Sequence, residues 1–274
     1  MPSYRVMLDV PRDLIWFVSG LLAARRRSIG TRKKTRSLGC YRQAVLGLAW
    51  FRDKGSIPRL GAGFGLSQAT AYRYIDEIIG VLAERAPGLR EALERALAEG
   101  TPYVILDGKI VDSDRCHEKT LSRQGREIDL WYPGKKKDFG GNIQALFYPD
   151  GKPMWVSDVL PGNVNDLAAA RESVLAELRL FAEELSALAD GGYEGAGHGV
   201  ITPVKKPAGM KELDINARTR NALIRSTRCM GERGFALLTQ RWQTLQHITA
   251  SPGKIGQIAR AALVLVLFEH KMLT

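Results

Sequence analysis

Only three cysteines occur in the 274 residues, Cys40, Cys116 and Cys229, and no two of them form a CxxC pair. That spacing supports neither a disulfide framework nor a structural zinc site, and it fits a reducing compartment. Long apolar runs are missing as well. The two richest stretches, Leu14 to Ala24 and Ile258 to Phe268, are each about half of the roughly 20 residues that a membrane span requires. The first is followed by Arg25-Arg26-Arg27, whereas a secretory signal carries its charge ahead of the apolar run. Both stretches are expected to be buried helices, with no membrane partner. No internal repeat or low-complexity tract is present. Negative charge is the scarce sign: 29 Asp and Glu stand against 40 Lys and Arg, a net charge of +11. Such an excess favours a polyanionic partner, nucleic acid first.

That excess is concentrated. Residues 1–60 hold 13 Lys and Arg against 3 Asp and Glu, nearly the whole surplus, and the other 214 residues are close to neutral. A basic first quarter ahead of a balanced remainder reads as a binding module joined to something that does other work. A basic face that only serves solubility is the plainer alternative. From Gly39 the pattern turns helical, with Ala44, Val45, Leu48, Ala49 and Phe51 as an apolar stripe ended by Lys54-Gly55-Ser56. A short helix over Ile57 to Phe64 follows, then Gly65-Leu66, then a longer helix with Ser67 as N-cap. Two helices around a glycine-containing turn define a helix-turn-helix candidate. Tyr72, Ile75, Ile79 and Leu82 are expected on its packed face. Gln68, Thr70, Ala71 and Arg73 are expected near the exposed N-terminal end, where such side chains reach base edges and phosphates in a major groove. An ordinary helical hairpin would have the same spacing.

Residues 87–100, opening on Pro87-Gly88, continuing as a short Leu/Ala/Glu helix and closing on Gly100, read as the connection between an all-α domain over 1–86 and a second domain over 101–274. Beyond it the pattern changes. Tyr103-Val104-Ile105-Leu106, Ile143 to Tyr148 and Met154 to Ser157 are β-type runs, the last two joined by a Pro149-Asp150-Gly151 turn that signals a hairpin. A helix over Leu167 to Leu185 leads into Ala187-Leu188-Ala189-Asp190. A strand over Val200 to Val204, a long helix over Asn216 to Trp242 and a last helix over 255–268 complete the order. This succession predicts a mixed-sheet α/β domain.

Asp107 follows Val104-Ile105-Leu106, and Asp190 follows Ala187-Leu188-Ala189. Two carboxylates are thus expected at the carboxyl ends of apolar strands, where α/β sheets bind ligands. Glycine follows each, which leaves the acid uncovered, although Asp-Gly after a strand is also an ordinary turn. On the long helix Arg225, Arg228 and Glu232 fall at i, i+3 and i+7 and share a face. That suits either an arginine clamp on phosphate beside an acid or a surface ion-pair ladder. Lys135-Lys136-Lys137 is either a contact to the DNA backbone or a solvated loop. Asn165 or Asp166 reads best as a helix cap, with Asp166 assisting an acid site as the alternative, and Trp50, Trp131, Trp155 and Trp242 as packing residues.

Taken in order, several short motifs resemble the DDE-type transposases of bacterial insertion sequences, in the IS-five-like group. They are Val104-Ile105-Leu106-Asp107-Gly108, Tyr132-Pro133-Gly134-Lys135-Lys136-Lys137, Pro149-Asp150-Gly151, Pro161 to Asp166, Ala189 to Gly195, and Arg225 to Arg233. The resemblance implies a ribonuclease-H-like catalytic domain, preceded by the helix-turn-helix domain. It implies metal-dependent DNA strand cleavage and strand transfer at insertion-sequence ends. Asp107, Asp190 and Glu232 would be both the catalytic residues and the ligands of two Mg²⁺ (or Mn²⁺) ions. Hard divalent cations prefer oxygen ligands, and a pair of them can stabilise the attacking and the leaving oxygen at phosphorus. Double-stranded DNA, as transposon ends and target, would be the partner of a homodimer assembled on it, in a bacterial cytoplasm at the nucleoid. DNA contacts are expected from Gln68, Thr70, Arg73, Lys135, Lys136, Lys137, Arg225 and Arg228. The sequence departs from the family at Thr239, where a basic residue is often found, and at Asn165, where His is more frequent. A transposase-derived DNA-binding protein that does not cut, and a nuclease without end preference, are the rival readings.

Overall fold

The computed structural model describes residues 8–32, 34–122, 124–134, 136–209 and 212–273. The first third of it is helical: α1 (Arg12–Ser28), α2 (Cys40–Asp53), α3 (Ile57–Gly63), α4 (Gln68–Ala83) and α5 (Leu89–Ala98). The short helix expected within residues 87–100 is α5. Ser67 caps α4, its hydroxyl accepting from the Thr70 N–H at 3.4 Å. Gly65 turns the chain with φ +73°. Gly61 lets α3 lie against α4, since a Cβ there would stand 2.5 Å from the Ala71 Cβ. Ala71 is consequently buried and Tyr72 is 45% exposed, the reverse of the expected facing. The packed face is Ala71, Tyr74, Ile75, Ile78, Ile79 and Leu82.

The α/β part follows as β1 (Tyr103–Ser113), β2 (Lys119–Leu121), β3 (Glu127–Asp129), β4 (Gly140–Phe147), β5 (Pro153–Val156), β6 (Leu160–Pro161), α6 (Asp166–Ser173), α7 (Leu175–Leu180), β7 (Ser186–Leu188), β8 (Val200–Ile201), α8 (Ile215–Thr239), β9 (His247–Ile248) and α9 (Ile255–Glu269). Strands β5, β4, β1, β7 and β8 lie side by side in one mixed sheet, with β6 added to β4 and β9 to β1. β1 pairs antiparallel with β4 and parallel with β7 and β9. The β4–β5 hairpin turns at Gly151, with φ +82°. β2 and β3 form a separate small ribbon that the sequence pattern did not disclose.

Strand alternation sorts the core into two layers. Ile105, Val111, Ile143, Ala145 and Phe147 face one cluster, with Phe235 and Leu238 of α8. Val104, Leu106 and Leu146 face the other, with Ala92 and Leu93 of α5 and Leu175 and Leu178 of α7. Helix α9 is buried almost all round, from Ile255 to Leu267, because it lies between the sheet and α4. The first cluster thereby runs without interruption from Leu14, Phe51 and Ile78 of the N-terminal helices through Leu263 and Leu265 to the sheet. Both apolar stretches are helices, the second buried almost all round and the first on one face only, with Trp16 54% exposed, and among the described residues no helix is long and apolar enough to cross a membrane.

Candidate active site

Asp107 lies inside β1 and not at its end. The ladder with β4 continues from Ile105 to Asp112, so Gly108 interrupts the apolar run without stopping the strand. What ends near Asp107 is the other neighbour: β7 pairs with Tyr103 to Ile105 only, and β9 begins at Asp112. Leu106 to Val111 therefore form a stretch of β1 with one edge unpaired by these strands, and Asp107 stands at its start. Asp190 follows β7 just past the same level. It opens a 3₁₀ turn over Gly191–Tyr193 and accepts from the Gly192 N–H at 2.7 Å, so the turn expected of Asp-Gly and the strand-end position are both realised.

A third aspartate joins them. Asn165 is the N-cap of α6, accepting from the Ala168 N–H at 2.9 Å, which frees Asp166 from capping. The Asp166 carboxylate instead accepts from Asn142 Nδ2 at 2.9 Å. It approaches Gly108 so closely that a Cβ there would be 2.6 Å from Asp166 Oδ1. Beneath lies a chain of buried polar groups: Tyr193 Oη donates to Gln144 Oε1 at 2.6 Å, and Gln144 Nε2 donates to Asn142 Oδ1 at 2.8 Å. Sequence reasoning missed this set. Its signal was two amides two residues apart, Asn142 and Gln144, in a strand that is otherwise apolar and buried throughout.

Burial is the main reason that the Asp107 carboxyl is pushed up to about 6; Arg228 opposes this, Asp190 and Asp166 add to it by repulsion, and the Gly108 N–H opposes it weakly. The Tyr193 phenol is raised for the same reasons, burial first and then the charges of Asp166, Asp107 and Asp190. Three acids thus feel one another here.

Helix α8 covers Asp107. Gly231 faces it, and a Cβ there would lie 3.6 Å from Asp107 Oδ2. Arg228, one turn earlier, reaches Asp107 at 3.6 Å and Glu232 at 4.0 Å, while the Glu232 side chain is 72% exposed. Arg225 is on the solvent side. Among the described residues no group of three His, Cys, Asp or Glu is placed to hold a metal ion as it stands. The other acids after Asp190 are engaged at the surface, Glu194 with Lys205 and Glu212 with Arg218. Arg241 pairs with Glu269 and Asp9, away from this site.

The remaining basic and polar candidates are scattered. Gln68 and Arg73 are exposed on the first turns of α4, and Arg73 Nη2 donates to Thr70 Oγ1 at 3.1 Å. Lys135 lies outside the described residues. Lys136 pairs with Asp112 and donates to the Ile110 carbonyl, and Lys137 is exposed with φ +58°. The loop after α1 gathers Arg27, Arg32 and Lys34 around an open cavity, where Arg26 and Arg36 are anchored to Gln43 and Glu77.

Residues 106–266 match the family model described as DDE superfamily endonuclease. The matched span runs from β1 through α8 into α9 and contains Asp107, Asp166, Asp190 and Glu232. Neither a curated protein nor a solved structure matches the chain.

Proposed function

The chain belongs to the DDE superfamily of endonucleases, and from that premise we propose that it is a transposase of the IS-five-like group. It would cut and rejoin DNA at the ends of an insertion sequence through Asp107, Asp190 and Glu232. The observation that carries this reading is the approach of Asp190, just past the end of β7, to Asp107 on the neighbouring parallel strand β1, with the Asp107 charge disfavoured by burial and by the acids around it. A carboxylate held in that way is relieved by a cation. Oxygen donors of this hardness suit Mg²⁺ or Mn²⁺, and DDE superfamily endonucleases use divalent metal ions.

Asp107 and Asp190 would hold the metal, Glu232 would complete the set by rotating its exposed side chain toward them, and Asp166 is near enough to take part. When bound, two such ions stabilise the attacking and the leaving oxygen at phosphorus. The chain's own residues do the rest. Asn142, Gln144 and Tyr193 orient Asp166, Gly108 leaves room for it, and Arg228 is available to turn from Asp107 to a phosphate. The helices ahead of β1 supply DNA recognition: α3 and α4 as a helix-turn-helix, with Gln68, Thr70 and Arg73 at the groove and the basic first quarter on the backbone. A ribonuclease-H-like catalytic domain over 101–274 behind a helical domain over 1–86, acting as a homodimer on DNA, belongs to the same reading.

One observation favours the non-cutting alternative: Arg228 already gives Asp107 an opposite charge, and Glu232 points to solvent. The deciding experiment incubates the full chain and Asp107→Asn with labelled duplexes from the DNA flanking the coding sequence, in Mg²⁺. Discrete cuts by the first and none by the second, at equal binding, support the transposase. Binding without cutting by either, in Mg²⁺ and in Mn²⁺, overturns it.

A further inference from the structure

Lys109 is the next residue after Asp107 on the same face of β1, since side chains alternate along a strand and a step of two residues advances roughly 6.6 Å. It lies within the stretch of β1 that neither β7 nor β9 covers. It is partly buried, and its ammonium stands 5.5 Å from the centre of the Phe235 ring. Among the described residues it makes no hydrogen bond or ion pair. Asp107 and Asp112 act on it through their charges but do not touch it, and a cation partly withdrawn from water with no anion in contact is incompletely satisfied. An apolar side chain would fill the space above Phe235 without that penalty.

We propose that Lys109 is a phosphate-binding residue, taking a backbone phosphate of the DNA strand that lies along β1 beside the Asp107 site. The proposal rests on the endonuclease reading for its substrate and goes beyond it in naming a cation outside the acid set. Phe235 supports the lysine stem and leaves the ammonium hydrogens for phosphate oxygens.

The test is equilibrium binding of the full chain to a 30-base-pair duplex in Ca²⁺ over a series of salt concentrations, with plasmid nicking in Mn²⁺ measured separately. Lys109→Met keeps the stem and removes the charge. It is expected to weaken binding roughly fivefold and to lower the slope of log affinity against log salt by about 0.9, with an unchanged melting temperature. Lys109→Arg should restore both, and Lys271→Met, on the exposed turn after α9, should change neither. Wild-type affinity and slope in Lys109→Met overturn the proposal, as does an equal effect of Lys271→Met. If Lys109→Met does not fold, Lys109→Gln takes its place under the same two criteria. Failure of the wild type to nick overturns the endonuclease reading instead, and the binding series still decides Lys109.

Discussion

Glu232 and Asp107 make different demands on the fold. Asp107 is held by β1 and buried under α8, whereas Glu232 is one residue beyond the helix position that faces it. Removing its charge should therefore leave the fold alone. Glu232→Gln is expected to lose Mg²⁺-dependent cleavage and keep DNA affinity within about a factor of two, and Glu212→Gln should cut normally. Full cleavage by Glu232→Gln would return the third ligand to Asp166. For Asp107 the sign follows from its raised pKa. Stability due to its protonated form is fully present below pH about 4 and lost as pH rises through about 6. Without metal, Asp107→Asn should then be more stable than wild type at pH 7.5, by about 2–3 kcal/mol at most, and equal to it at pH 3.5. Urea unfolding in a chelator at both pH values measures this, and equal stability at pH 7.5 would contradict the burial argument.

At the scale of elements, the seat of α8 is set by glycine. A Cβ at Gly234 would be 2.1 Å from the Phe147 ring and 2.6 Å from the Gly151 carbonyl. Gly234→Ala is thus expected to destabilise by roughly 1–3 kcal/mol and to reduce cleavage more than binding, because the helix that carries Arg228 and Glu232 must move. A melting temperature equal to the wild type's would show that the seat yields. Elements differ in how far their residues announce them. The β4–β5 turn and the Ser67 cap were legible because each depends on near neighbours, and the buried Trp242 and Trp155 because side chains so large and apolar are seldom left in water. The length of β1 was not: Asp107-Gly108 looks like a turn, and only pairing with Gly140 to Gln144 keeps the strand going. The helix expected over Leu167 to Leu185 is broken at Val174, whose φ is −135°, beside Ser173 and at a β-branched residue of lower helix propensity, and its second part ends at Leu180. Between Asn165 and Asp166 the sequence leaves the cap open, since the partner that holds Asp166, Asn142, lies 24 positions away.

Across the whole molecule, the first cluster of apolar side chains ignores the boundary suggested at residues 87–100. Ile78 and Ile79 of α4 belong with Leu263 and Val266 of α9. A fragment of residues 101–274 is expected to expose that face of α9 and to aggregate, which a soluble, monodisperse fragment would contradict. DNA affinity is better examined in the full chain. Replacing Arg27, Arg32 and Lys34 together by Gln should reduce the salt slope by about 2.7 if each meets a phosphate. A slope equal to the wild type's would leave the basic loop to solubility.

The shared core also acts as a ruler. With α4 packed on α9, and α9 on β5 of the sheet that carries the acids, the interval between a sequence read by α4 and the bond cut at Asp107 would, in the proposed function, be fixed by buried side chains rather than by a tether. Two extra base pairs between the recognised sequence and the cleavage point should then move the cut by two pairs within the DNA, keeping its distance from the recognised sequence. A cut that followed the original bond would mean that the two ends of the ruler slide.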